Sequence, residues 1–529
     1  MDAKPLPSRP SLEQYKKQAK ELLKAYRSAD VESIRRVKRN HPRFEKLAEP
    51  GFEISKFALA DAQLVIAREH GFESWPKFTK RIEVINSEAA ARVNPVAAFI
   101  EAAIWHGTLE AAEAILAAHP EIAHNSIHAA AILGDDAAVR RFIAADPRNV
   151  TKTEAPYGGD VLVYLCLSKY LRLDITRSDA FIRAATALLD AGADPNTGFR
   201  AKDEYGDFET ALYGAAGVAQ HAELTRLLLE RGADPNEEET PYHSPESYDN
   251  GAVRALVESG KLNTDSLTTM LLRKADMHDY EGMKYLLEHG ADPNRMTRWK
   301  VTALHQALRR DNSLAHIELM LDHGADPTLT NLFDGRSSVA MAARRGRGDV
   351  LAAFVRRGIP IKLNGVDRAI VACTTNDQAA VRSIAAHEPH LLPELLVEGG
   401  KLLAEFAGND NSEGVRLLLD LGVPVEALYE GDPYFDIARD STALHVAAWK
   451  AWPRTVKLLI ERGAPIDAQD AKGRTALALA VKACVDSYWT NRRSPESVEA
   501  LLKAGASVSG ADFPSGYAEV DVLLQSYAK

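Results

Sequence analysis

Leucine-rich runs with helical spacing recur along the chain, each running directly into a glycine. LTRLLLER precedes Gly232, GMKYLLEH precedes Gly290, HIELMLDH precedes Gly324, TVKLLIER precedes Gly463 and VEALLKA precedes Gly505. Apolar residues at i, i+3 and i+4 predict a short amphipathic helix in each run. The glycine suits the left-handed position that ends such a helix. Asp-Pro-Asn or Asp-Pro-Thr then starts a turn after Gly192, Gly232, Gly290 and Gly324. A second phrase, TALYGA from Thr210, TALHQA from Thr302, TALHVA from Thr442 and TALALA from Thr475, opens another helix. Its threonine is placed to accept a hydrogen bond from the free N–H groups of the first turn, and its Ala-Leu-x-x-Ala face is small enough for close stacking.

The spacing makes these phrases one repeating unit. Gly290 to Gly324 is 34 residues, and Gly324 to Gly358 is 34 again. Longer gaps leave room for worn units around residues 252–262, 366–392 and 398–425. About twelve units fit between Asn94 and Gly510. A single helix pair cannot bury both of its faces, so neighbours must stack into a continuous core.

On these two phrases and their period, the chain resembles the ankyrin-repeat family over roughly four fifths of its length. The usual proline after the opening threonine is alanine here, and several central units lack the phrase. The resemblance implies an all-α ankyrin-repeat solenoid that binds partners on its inner helices and projecting finger loops. It also implies a structural role for His128, His305 and His445, all at the fourth position of the opening phrase, as links to a neighbouring loop.

Residues 11–86 read differently. Ser11 to Gln14 forms a capping box, and further helices are expected over 31–39, 56–70 and 74–85. The stretch 57–78 resembles a helical leader found before the repeats of some bacterial ankyrin-repeat proteins, which implies a cap over the first unit. From Ser11 to Lys46 there are eleven Lys or Arg against five Asp or Glu, read as solvated helix faces. The domain boundaries expected are 1–93 for the cap, 94–510 for the solenoid and 511–529 for a C-terminal capping segment.

Composition narrows the function classes. A formal charge of −10 argues against a nucleic-acid binder that relies on net charge. No stretch approaches the length of a membrane span. Cys166, Cys373 and Cys484 lie far apart with no CxxC pair, which fits a reducing, cytoplasmic setting. No phosphate-binding loop, dinucleotide fingerprint or nucleophile elbow occurs. His387-Glu-Pro-His390 lacks zincin spacing, His221-Ala-Glu223 has no PCxxC partner, and His278-Asp279-Tyr280-Glu281 reads as a solvated turn with an aspartate cap. The expectation is therefore a non-enzymatic protein-binding module with no catalytic residue, cofactor or metal.

Four irregular segments stand out as partner-binding candidates: 197–209, 240–250 and 429–440 on the finger edge, and 485–497 between the two helices of its unit. Their aromatic and arginine content matches what binding hot spots use. The anchors selected are Tyr205, Phe208, Tyr242, Tyr248, Tyr434 and Phe435, with Arg298 and Trp299 from the loop before Thr302. The competing expectation is a small-molecule or enzymatic site in the irregular stretch 240–300.

Overall fold

Backbone chemistry sets the grammar of each repeat. The computed structural model describes residues 3–42, 44, 57–201 and 206–527. A polar side chain caps an inner helix: Ser126, Asp160, Thr210, Asn263, Thr302, Ser337 and Thr475 each accept from an N–H two or three residues on. The inner helix is almost wholly buried, as in Ala303–Arg309 and Ala443–Trp449. A turn with one positive-φ residue follows, filled by Gln220, His278, Asp311, Gly346, Asn376, Asp410 or Ala451. An outer helix then buries one stripe and ends on glycine. At Gly290 φ is +93° and an added Cβ would meet open space, so backbone conformation rather than crowding requires glycine there.

The Asp-Pro-Asn turns carry the stacking. Asn196 donates to the Gly232 carbonyl and accepts from the Asp234 N–H at 2.8 Å. Asn236 does the same to Lys261 and Asn263, and Asn294 to Gly324 and Asp326. One side chain thus joins each loop to the next and holds the register of the units.

The chain divides into two compact bodies, Met1–Asp292 and Pro293–Lys529. The first begins with helices Leu12–Arg27, Val31–Asn40, Leu59–Glu69 and Trp75–Ala91. Their shared core includes Tyr15, Leu22, Tyr26, Val37, Phe44, Phe57, Ile66, Phe78 and Ile82. Several basic residues of this segment are spoken for locally. Arg36 grips the Glu69 carboxylate through two nitrogens at 2.8 and 3.0 Å, and Lys4 adds a third contact at 2.7 Å. Helix pairs of the repeat type follow, from Pro95–Ala103 to Tyr280–Glu288. Among the described residues one short hairpin, Gly198–Arg200 against Phe208–Thr210, leaves the body all-α in character.

The second body stacks helix pairs from Ala303–Arg309 and Leu314–Asp322 to Ala476–Asp486 and Glu496–Lys503, ending with Ala518–Tyr527. The expected all-α architecture of stacked helix pairs is realised in both bodies. One placement in the first body differs from the sequence reading. Segment 240–250 is not a finger insertion: Glu239–His243 is itself an inner helix, and residues 244–250 form the turn to the outer helix Gly251–Glu258. Its cap is unusual. The half-buried Glu237 carboxylate accepts from the N–H groups of Glu239 and Thr240 and from the Thr210 hydroxyl, where other units cap with a Thr, Ser, Asn or Asp directly before the helix.

Candidate functional site

In the second body the inner helices and fingers enclose a pocket of about 350 Å³. Helix Ala303–Arg309 supplies His305, Gln306 and Arg309; Ser338–Arg344 and its C-cap supply Met341, Arg344 and Arg345; Gly399–Gly408 supplies Lys401, Leu402 and Glu405. Trp299 and Phe333 come from two successive fingers, and Tyr429–Pro433 from the loop before Thr442.

Loop 429–440 does not project as a finger. It bends back over the inner helices, tied at its base by Tyr429 pairing with Ser441 and at its flank by Asp436 to Lys472 and Arg474. Phe435 ends up buried, its ring stacked on Trp489 at 5.6 Å between centroids. The Trp449 indole N–H donates to the Phe435 carbonyl at 2.6 Å. The loop is thus a strap that walls the pocket, clamped by the apolar cluster Tyr429, Phe435, Ile437, Trp449 and Trp489.

A buried charge cluster lies beneath the strap. Asp311 pairs with Arg345 at 2.6 Å and with Lys450; Arg345 also reaches Glu405 at 3.1 Å. Burial would raise the Asp311 pKa, but Arg345 and Lys450 outweigh it and hold the carboxyl far below the usual range. Glu405 is shifted the other way, because burial outweighs its guanidinium partner. Arg492 lies over the Trp452 ring at 3.9 Å, and burial lowers its pKa to about 10.

The sequence-selected anchors do not converge. Arg298 lies over the Trp299 ring at 4.6 Å, and Trp299 faces the pocket. Tyr434 is exposed beneath Arg310, 3.4 Å from its guanidinium carbon. Phe435 is core, so its aromatic surface is spent on the strap. In the first body Phe208 is exposed on the hairpin. Tyr242 is half-buried on an inner helix under Arg273 at 4.1 Å. Tyr248 is exposed on the turn between helices, away from the finger edge, and its hydroxyl donates to the Met277 carbonyl. Tyr205 lies outside the described residues. The residues missed in sequence are Arg309, Phe333, Arg344 and Lys401. The available signal was their recurrence on inner helices and fingers of adjacent units.

Groups that look catalytic are occupied. Ser178 Oγ lies 2.6 Å from His221 Nε2, but Nδ1 of that ring accepts from the Leu224 N–H. The Nε2 therefore carries the proton and donates to the serine, so it does not act as its base. His305 and His445 accept at Nδ1 from Thr302 and Thr442 and donate from Nε2 to Arg336 and to Ala468 and Arg474. His128 donates to Lys152 at 2.7 Å. These are the expected links to the following loop. Asp279 caps its helix as expected, but it is buried rather than solvated, pairing with the fully buried Lys274 at 2.7 Å. Among the described residues no three His, Cys, Asp or Glu side chains converge as a metal site needs, and no helix is long and apolar enough to cross a membrane.

Comparison with known proteins bears on this architecture. Family models for ankyrin repeats match residues 402–512 (three copies) and 271–315. The chain is similar to serine/threonine-protein kinase 12 of Arabidopsis thaliana, 36% identical over 85 residues, 16% of this chain and 17% of that one. It is similar to the ankyrin repeat domain-containing protein SAT10 of Stachybotrys chartarum, 27% identical over 242 residues, 43% of this chain and 11% of that one. The chain therefore spans less than a fifth of either curated relative. Among solved structures, the human ASB11 ankyrin repeat domain is 21% identical with a TM-score of 0.23, covering 51% of this chain and 99% of that one.

Proposed function

Starting from ankyrin repeats stacked as an all-α solenoid, we propose that this chain is a non-enzymatic protein-binding module. It holds its partner on the inner-helix and finger face of the second body. Ankyrin repeats are a protein–protein interaction module, and the observation that carries the choice of face is the pocket bounded by Trp299, Phe333 and the strap. The inner helices supply a mostly polar floor, and the fingers add Trp299 and Phe333, aromatic side chains of the kind that anchor binding surfaces. Of the sequence-selected anchors Trp299 lines the pocket, with Arg298 over the Trp299 ring and Tyr434 next in sequence to the lining residue Pro433. Phe208, Tyr242 and Tyr248 belong to the first body and are proposed as secondary contacts there.

The first four helices act in this reading as a cap over residues 94–510, with 511–529 closing the other end. All three cysteines are free and buried, and burial pushes the Cys373 thiol up to about 12. That chemistry suits a reducing, cytoplasmic compartment.

The test is affinity capture from the source organism's lysate with the intact chain and with a Trp299→Ala/Tyr434→Ala variant, scored by mass spectrometry. Capture of a dominant protein by the intact chain, reduced at least tenfold by the variant, supports the reading; equal capture by both removes this face. A second reading, small-molecule binding, draws on the pocket's volume, which falls within the range of ligand sites. A metabolite panel that leaves the melting temperature of the intact chain unmoved removes it.

A further inference from the structure

Residues 295–310 carry five arginines or lysines (Arg295, Arg298, Lys300, Arg309, Arg310) and no aspartate or glutamate, within a chain of net charge −10. The stretch spans the finger before Thr302 and the inner helix behind it. The pocket's carboxylates are already matched: Asp334 by Arg336 at 2.8 Å, Glu398 by Arg344 at 2.5 Å, Glu430 by Lys401 at 2.6 Å, and Glu405 by Arg345. Asp311, next in sequence, is sequestered with Arg345 and Lys450. Asp432 caps the strap's turn, accepting from the Tyr434 N–H. Arg309 and Lys300 are exposed and enter no ion pair among the described residues. Lys300 and Arg309 therefore stand at the rim as positive charges outside any ion pair among the described residues.

An apolar ledge adjoins it. Leu332 and Phe333, at the tip of the next finger, are 67% and 80% exposed, and Trp299 is 37% exposed. The Leu332 N–H donates to the Lys300 carbonyl at 2.9 Å, so the two fingertips are fixed side by side. The finger itself is rigid, because Asn331 accepts from the N–H groups of both Phe333 and Asp334. Holding two large apolar side chains in water on a rigid turn is unfavourable unless a partner covers them.

Building on the protein-binding reading, we infer that the partner presents an extended acidic segment with large apolar side chains. Its carboxylates meet Lys300 and Arg309, and its apolar residues cover Trp299, Leu332 and Phe333. A polypeptide fits better than a nucleic acid here. Leu332 offers no stacking face for a base but packs well against an apolar peptide side chain.

The probe is a fluorescein-labelled peptide of three Asp-Glu-Leu-Phe repeats, titrated with the full chain and followed by anisotropy. Three comparisons accompany it: the same peptide with lysine for its acids, the same peptide with serine for Leu and Phe, and poly-uridylic acid. Saturable binding of the first probe is expected at least tenfold tighter than any comparison. It should weaken at least tenfold in Arg309→Glu and in Leu332→Ser/Phe333→Ser. Both variants alter exposed positions, so unchanged melting temperatures show that folding is intact. Equal binding of the lysine peptide, tighter binding of poly-uridylic acid, or full affinity in both variants overturns the inference. The two readings fail separately. A lysate partner captured equally by the intact chain and by Leu332→Ser/Phe333→Ser removes the acidic–apolar segment alone. No capture by the intact chain removes the protein-binding reading and this one with it.

Discussion

His128, His221, His305 and His445 are all held as neutral rings, with pKa values below 6.5 because burial disfavours the cation. As pH falls below 6.5, the unfolded chain takes up protons that the folded chain refuses. Their stabilisation is thus present above 6.5 and lost on the acid side. His243 behaves oppositely. Burial would lower its pKa, but hydrogen bonds to Glu239 and Glu246 at 3.1 and 3.0 Å outweigh this and raise it to about 9. Its contribution is fully present below 6.5 and is lost as pH rises through 9. The histidines together therefore place a stability maximum near 6.5, measurable as urea midpoints from pH 5 to 9.5. His243→Gln should flatten the alkaline limb and leave the acid limb unchanged. His445→Ala should cost ~1–3 kcal/mol, because the Ala468 and Arg474 carbonyls lose their donor.

Among elements, the strap distinguishes two neighbours that look alike in sequence. Phe435→Ala removes a ring packed against Trp489 and should cost ~3–5 kcal/mol. Tyr434→Ala removes an exposed ring and should stay within ~1 kcal/mol by the same chemical-denaturation measurement. Lys450→Met strips one partner from the buried Asp311 and should cost ~3–5 kcal/mol. None of this was legible in the chain. Lys450 and Asp311 are 139 residues apart, and a lone lysine after a helix reads as a solvated end. The one available hint is positional: Arg345 and Lys450 both cap the C-terminus of an inner helix. Periodicity, by contrast, exposed every unit that keeps its threonine or serine cap. At 239–258 it placed a worn unit around 252–262 but missed the inner helix Glu239–His243, because Glu237 does the capping and an acidic residue outside the phrase gives no recognisable start. The same gap put Tyr248 on the wrong edge.

For the molecule as a whole, stability in stacked repeats adds over units and their interfaces. A lesion should therefore act locally. Phe406→Ala empties a fully buried site in helix Gly399–Gly408 and should raise hydrogen exchange across neighbouring repeats of the second body. Protection in Pro95–Ala103 and Ser178–Asp190 of the first body should stay near its original level. Uniform loss of protection across both bodies would show a single cooperative fold instead. The stacking pattern was readable in sequence as a period. The direction in which each unit leans on its neighbour was not, because the acceptors are backbone carbonyls of loops with no shared side chain.

That direction matters while the protein is being made. His128 reaches forward to Lys152, His305 to Arg336, and His445 to Ala468 and Arg474. The acceptor always lies later in the chain, 31 residues later for His305. At a synthesis rate of ~5–20 residues per second, that histidine waits ~2–6 s for its partner to be added. Each of these three repeats, while it is the newest made, has an imidazole with nothing to hold. The loop that follows completes it, so at these units the fold closes one step behind the ribosome.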